Sequence, residues 1–229
     1  MAAIATEAAM AEQAVTGRVA LVAGATGLVG RAVLAALLAD KRYRAVHALG
    51  RQAQPVAHAK LHWHKVDFAA LAPLPAADEV YIALGTTIKV AGSQQAFRAV
   101  DFDAVLAVAK AARAAGAKRL GVVSAMGANP RSGIFYNRVK GEMEDAVSAL
   151  GYTSVVLARP SFLLGDRESL GQPGRSGEGF ALTLTRWLRP VLPANYRAVE
   201  ATQVAKALIH ALQHAAPGTT ALLSGDLQA

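Results

Sequence analysis

The apolar run Val19-Ala-Leu-Val-Ala23 passes directly into Gly24-Ala-Thr-Gly27-Leu-Val-Gly30, and a helical apolar pattern follows at Leu28, Val33, Leu34, Leu37 and Leu38. This predicts a buried strand, a tight turn and a helix in immediate succession. Each glycine has a distinct use. Gly24 lets the chain leave the strand sharply, Gly27 lets backbone N–H groups approach phosphate oxygens, and Gly30 removes a side chain where helix meets sheet. The first helical turn, with Thr26, Leu28 and Val29 around it, aims unpaired N–H groups and the positive end of the helix dipole at the diphosphate of a dinucleotide. The spacing is G-x-x-G-x-x-G and not G-x-G-x-x-G. The reading rests on the position of the glycines between strand and helix.

The same alternation continues along the chain. Strands are expected at Val19–Ala23, Ala45–Leu49, Leu61–Val66, Glu79–Ala83, Arg119–Ser124 and Thr153–Ala158, with helices at Gln95–Ala115, Tyr136–Leu150 and Thr202–His214. Strands alternating with helices imply an α/β doubly wound parallel sheet, a Rossmann fold, with its ligand crevice at the carboxyl ends of the strands. The glycine-rich stretch Pro160–Gly179 reads as a mobile loop over that crevice. Trp187–Pro193 and the helix Thr202–His214 read as a small C-terminal cap beginning near residue 160. Ala-rich residues 1–16 read as a disordered leader, leaving 17–229 as one domain.

Hydrophobic residues make up 53% of the 229, but no apolar run reaches the roughly 18 residues of a membrane span, so no membrane partner is expected. With no cysteine in the sequence, disulfides, thiolate metal sites and cysteine nucleophiles are excluded. A cytoplasmic protein is the expectation. The net charge is +8, yet the basic residues are scattered, with no aromatic platform for stacking bases. That pattern suits a phosphate-rich cofactor better than nucleic acid.

Strand two ends in Gly50-Arg51, where a dinucleotide site selective for NAD offers a carboxylate. A guanidinium there can instead pair with a 2′-phosphate, which favours NADP(H) over NAD(H), the alternative being a surface arginine at a strand end. Asp67-Phe68 after strand three can receive the adenine amino group and cover the base, or Asp67 can cap the following turn. Gly85-Thr86-Thr87 after strand four forms a small corner for ribose or nicotinamide, although such threonines also simply terminate strands. Ser124 closes strand five, Tyr136 opens the next helix, and Lys140 lies one turn further on the same face. Hydride delivery to a carbonyl needs a proton donor. Tyrosine near an ammonium can serve, with Ser124 orienting the carbonyl and Lys140 tuning the phenol and gripping the nicotinamide ribose. His62 and His64 share one strand face without a third ligand at a compelling spacing, so no metal is expected. No serine sits in a G-x-S-x-G elbow.

Taken together, Gly24-Ala-Thr-Gly27-Leu-Val-Gly30, Leu49-Gly50-Arg51, Leu84-Gly85-Thr86-Thr87, Val123-Ser124, Tyr136-Asn-Arg-Val-Lys140-Gly-Glu-Met-Glu144 and Arg159-Pro160-Ser161 resemble the short-chain dehydrogenase/reductase superfamily. The likeness is to its atypical branch, related to the Tat-interacting-protein oxidoreductase, and runs from about Arg18 to His214. The resemblance implies a Rossmann fold, NADP(H), and catalytic roles for Ser124, Tyr136 and Lys140. It further implies that Pro160, Ser161 and Phe162 contact the nicotinamide side and that Asp166–Ser169 begins a substrate loop. Its members include reductases and proteins that sense or regulate through bound cofactor, so the resemblance supplies no substrate; the Ser-Tyr-Lys chemistry points to a small carbonyl or alcohol, the alternative being an NADPH-sensing interaction protein. The two long helices can pair with a second copy in a homodimer, or pack on their own sheet. The C-terminal part is short beside sugar-nucleotide epimerases of the superfamily, which argues against a nucleotide-sugar substrate.

Overall fold

The computed structural model describes residues 17–52, 57–164, 195 and 198–228. The first strand, β1 (Arg18–Ala23), leads into α1 (Leu28–Ala39), β2 (Tyr43–Gly50), β3 (Leu61–Lys65) and β4 (Glu79–Ile82). Two short helices follow, α2 (Ile88–Ala91) and α3 (Gln94–Arg98), then a π-helical stretch (Ala99–Ala104) and α4 (Val105–Ala114). The remainder is β5 (Arg119–Val123), α5 (Phe135–Ser148), β6 (Ser154–Arg159), β7 (Leu163–Leu164), β8 (Val199–Glu200), α6 (Ala201–Gln213) and β9 (Gly218–Leu223).

Seven parallel strands form one sheet in the order β3-β2-β1-β4-β5-β6-β9. The order reverses between β1 and β4, so a crevice opens outside the carboxyl ends of those two strands. Strand alternation divides the core between the faces. On one face Ala20, Val22, Val46, Tyr81 and Val156 pack with Val33 and Leu37 of α1 and Val204, Leu208 and Leu212 of α6. On the other, Leu21, Leu49, Ile82, Leu120 and Leu157 pack with Val105 and Val108 of α4 and Met143 and Val147 of α5. The doubly wound parallel architecture is therefore as the sequence predicts.

Three features differ from the sequence reading. The expected single helix Gln95–Ala115 is interrupted by the π-helical turn over Ala99–Ala104. A seventh strand, β9, pairs in parallel with β6 at the sheet edge. Its outer positions are largely exposed, so Gly218-Thr-Thr-Ala-Leu-Leu223 lacks the buried apolar signature of the inner strands. Finally, the helix assigned to the cap is α6, and its apolar face is spent against α1 and the sheet. What the described residues show of a cap is the two-stranded pairing of β7 with β8. Residues 1–16, Asp166–Ser169, most of the loop to Gly179, and Trp187–Pro193 lie outside the described residues.

Candidate cofactor and catalytic site

Backbone geometry fixes the glycine turn. Gly24 has φ of 86°, and a Cβ there would stand 2.5 Å from the carbonyl oxygen of Ala83, at the end of β4. A Cβ on Gly30 would stand 1.9 Å from the carbonyl oxygen of Gly24. No side chain fits at either place. Gly27 is the N-cap residue of α1, with no side-chain cap bond and no acidic residue in the first turn. The first N–H groups of α1, beginning with Leu28 and Val29, are thus left for an external anion at the switch point. This donor set suits the diphosphate of a dinucleotide. The side chains of Thr26, Leu28 and Val29 flank it, Val29 buried.

Along the crevice, Arg51 is exposed just past β2, and among the described residues it has no carboxylate partner. Gly50 admits Trp63 from β3, whose ring carbon would be 2.3 Å from an added Cβ. Asp67 takes the turn-capping alternative: the Ala69 N–H donates to its Oδ1 at 2.9 Å. Phe68 leans on the apolar core beneath β4 and β1. Thr87 caps α2, accepting from the Val90 N–H at 3.1 Å, while the Thr86 N–H donates to Asp101 Oδ2 at 2.8 Å. The corner is therefore built partly by its own capping and partly by a carboxylate from the next helix.

That carboxylate is the residue the sequence reading missed. Asp101, within the π-helical stretch, is 1% exposed and its Oδ1 lies 2.7 Å from Nζ of Lys140, itself 3% exposed. Burial pulls the Lys140 ammonium down, but the charges of Asp101, Tyr136 and Glu144 outweigh it, so its pKa stands above the ordinary lysine value. Tyr136, one turn earlier, packs its ring on Phe97 at 5.3 Å between centroids. Ser124 follows β5, its N–H donating to the Ala158 carbonyl at 2.7 Å. Its hydroxyl is buried and finds no hydrogen-bond partner among the described residues. A buried hydroxyl left unpaired costs free energy unless a ligand completes it. The three expected catalytic residues thus lie at the same end of the sheet, with Tyr136 and Lys140 coupled through charge.

Gly141, next to Lys140, admits the preceding loop: a Cβ there would stand 2.2 Å from the nitrogen of Pro130. Glu144 is buried and paired in two-pronged fashion with Arg159 at the end of β6. Pro160 is buried and accepts from the Met126 N–H at 2.9 Å. Ser161 Oγ meets Ser224 Oγ at 3.0 Å, and Phe162 is exposed. Away from this end, His47 of β2 joins His62 and His64 of β3, with Nδ1 of His47 2.9 Å from Nε2 of His64. The third histidine was invisible as a neighbour because it arrives from another strand. Among the described residues no group of three or more His, Cys, Asp or Glu is arranged to hold a metal ion.

Comparison with known proteins bears on this arrangement. Residues 24–215 match the model of the NAD(P)H-binding family. The chain is 31% identical over 206 residues to a mitochondrial FMP52 protein of Chaetomium globosum, covering 86% of this chain and 88% of that one. It is 34% identical over 156 residues to the mitochondrial FMP52-1 protein of Scheffersomyces stipitis, covering 66% and 69%. Among solved structures, MoeE5 in complex with UDP-glucose and NAD superposes with a TM-score of 0.68 at 19% identity, over 90% of this chain and 75% of that one. A short chain dehydrogenase family protein from Francisella tularensis gives 0.65 at 16% identity, over 92% and 98%. These likenesses establish the Rossmann fold. The names of the relatives overturn the expectation of a cytoplasmic protein, since they are named mitochondrial; the lack of cysteine and the scattered charge do not distinguish those compartments. By the family match over residues 24–215, the extent of the FMP52 likeness and the glycine turn, the chain belongs to the NAD(P)H-binding family.

Proposed function

We propose that the chain is an NADP(H)-dependent oxidoreductase that interconverts a small carbonyl compound and its alcohol. The observation that carries this reading is the buried Ser124 hydroxyl, unpartnered among the described residues, at the same sheet end as the Tyr136 and Lys140 pair. The nicotinamide cofactor, when bound, supplies or accepts the hydride. Tyr136 holds the proton that the carbonyl oxygen receives, Ser124 Oγ donates a hydrogen bond to that oxygen, and Lys140 keeps a positive charge beside the phenol. Gly24, Gly27 and Gly30 leave room and donors for the diphosphate, and the exposed guanidinium of Arg51 supports pairing with a 2′-phosphate. Pro160, Ser161 and Phe162 stand beyond β6 on the substrate side. The exposed side chains of Val90, Ile134 and Phe162 follow β4, β5 and β6, so the rim of this end favours an apolar carbonyl compound. The active partner is thus a small molecule and not nucleic acid, the chain is compatible with a homodimer, and the mitochondrial location of its relatives extends to it.

Fluorescence titration of the purified protein with NADPH and NADH in parallel tests the cofactor, and turnover of a panel of aldehydes, ketones and quinones tests the reaction. Tighter NADPH binding together with oxidation of NADPH by a panel member is expected. Tight NADPH binding without turnover of any carbonyl would instead assign the chain to cofactor-responsive regulation. No binding of either cofactor would overturn the reading.

A further inference from the structure

We propose that Asp101 is a positioning residue of this site, its carboxylate tying the Gly85–Thr86 corner after β4 to the ammonium of Lys140 on α5. The inference rests on the function proposed above and adds a residue to it. The two oxygens of one buried carboxylate reach in two directions. Oδ2 accepts the Thr86 N–H at 2.8 Å, and Oδ1 lies 2.7 Å from Lys140 Nζ. Gly85 lies against the same pair, since a Cβ on it would stand 3.3 Å from Asp101 Oδ1 and 3.9 Å from Lys140 Nζ. The corner that receives the cofactor and the lysine that serves the phenol are therefore held at one point.

The helix is distorted where Asp101 sits. Between the regular turns Gln94–Arg98 and Val105–Ala114, the stretch Ala99–Ala104 is wound as a π-helix. Phe97, Asp101, Val105 and Val108 are all buried, so the carboxylate lies on the apolar face of this helix. A regular helix with an apolar side chain at 101 would satisfy packing alone, and buried ion pairs are seldom the most stable way to fill a core. The irregular turn and the buried charge make sense together as a device that delivers a carboxylate to Lys140.

The other charges around Lys140 do not replace it. On its own helix stand Tyr136 and Glu144, and Glu144 is engaged by Arg159 from β6. The π-helical stretch contributes Asp101, the largest of the charge effects that hold the ammonium against burial. Without that carboxylate, burial prevails and Lys140 gives up its proton at lower pH.

The test uses the full chain labelled with 13C at lysine Cε, the Lys140 signal being assigned through Lys140→Arg. In the wild type the Lys140 signal is expected to remain that of the ammonium through the ordinary lysine range. In Asp101→Asn, which keeps an acceptor for the Thr86 N–H, it is expected to titrate at least about one pH unit lower. NADPH affinity of this variant is expected to fall more steeply than that of the wild type as pH rises. A double substitution with Lys140→Met should show no further loss from Asp101→Asn, because the carboxylate acts through the amine. A wild-type Lys140 that deprotonates below the ordinary lysine range overturns the inference whether or not Asp101→Asn folds. So does a folded Asp101→Asn with unchanged Lys140 titration and unchanged pH dependence of binding. A wild type that binds no NADP(H) overturns the proposed function, while the Cε titration still decides the link between Asp101 and Lys140.

Discussion

At the scale of single residues, the glycine turn divides into positions that fold the chain and a position that admits the ligand. Gly30→Ala puts a methyl 1.9 Å from the Gly24 carbonyl oxygen, so backbone must shift. Urea unfolding should show a loss of about 1–3 kcal/mol together with loss of NADPH binding. At Gly27 the nearest atom to an added Cβ is 3.4 Å away, so Gly27→Ala is sterically accommodated. It should leave stability within about 1 kcal/mol of wild type, yet weaken NADPH binding, because the methyl enters the space of the diphosphate. Tyr136→Phe should lower kcat by about 10²–10⁴-fold with NADPH affinity nearly unchanged, checked by turnover and fluorescence titration on the same preparation. Both kinds of glycine position were legible in the sequence because strand, turn and helix follow one another within a few residues, and Tyr136 was legible from Lys140 one turn on and Ser124 at the end of the preceding strand. Asp101 was not legible. It reads as one acidic residue in an amphipathic helix, and its meaning comes from Gly85 and Lys140, which only folding brings to it.

At the scale of elements, two polar groupings organise the strands. His47, His62 and His64 stand together across β2 and β3. Burial first, then the neighbouring imidazoles and Arg44, push His47 down to about 4, and His64 is lowered by burial and His62. A histidine whose folded value lies below its unfolded one contributes stability that is present above the ordinary histidine value and lost as pH falls through the folded one. Thermal stability should therefore decline as pH falls from the ordinary value of 6.5 to about 4, and His47→Gln should flatten that stretch of the profile. At the amino ends of the sheet, Glu79 of β4 is 1% exposed and is bound by Arg18 of β1, Tyr43 of β2 and Tyr81 of its own strand, with Arg119 of β5 3.5 Å away. Glu79→Ala leaves the buried Tyr43 and Tyr81 hydroxyls without this acceptor and should cost about 1–3 kcal/mol in denaturant unfolding, the part-exposed Arg18 and Arg119 turning to water. Neither grouping could be read from the sequence, since each joins residues of different strands whose register is set by the sheet. The inner strands were legible from their apolar runs. Edge strand β9 was not, because half of the signal is missing when one side of a strand faces water.

At the scale of the whole molecule, the ends of the sheet have different characters. The amino ends are closed by the Glu79 network, which Gln213 of α6 completes by donating to the Tyr43 hydroxyl at 2.9 Å. The carboxyl ends carry the glycine corners, the serine hydroxyl that has no partner among the described residues, and the exposed apolar rim. Rigidity at one end and open chemistry at the other is the division expected of a scaffold that presents a site. The closed end also sets an alkaline limit. Burial, and then the hydrogen bond to Glu79, push Tyr43 up to about 12 from the ordinary 10.0. A raised folded value means stability is intact below the unfolded value and declines as pH rises through the folded one, so unfolding free energy should drop from about pH 10 upward. Tyr43→Phe should make that decline shallower, the remainder coming from Tyr81 and Tyr152, which burial also raises, read by circular dichroism across an alkaline series.

The bond between Tyr43 and Gln213 joins residues 170 positions apart, and α6 lies on α1. A ribosome making this protein therefore releases α1 long before its cover exists. Until Ala201–Gln213 has been synthesised, the nascent chain carries an uncovered oily stripe, an obvious landing place for chaperones.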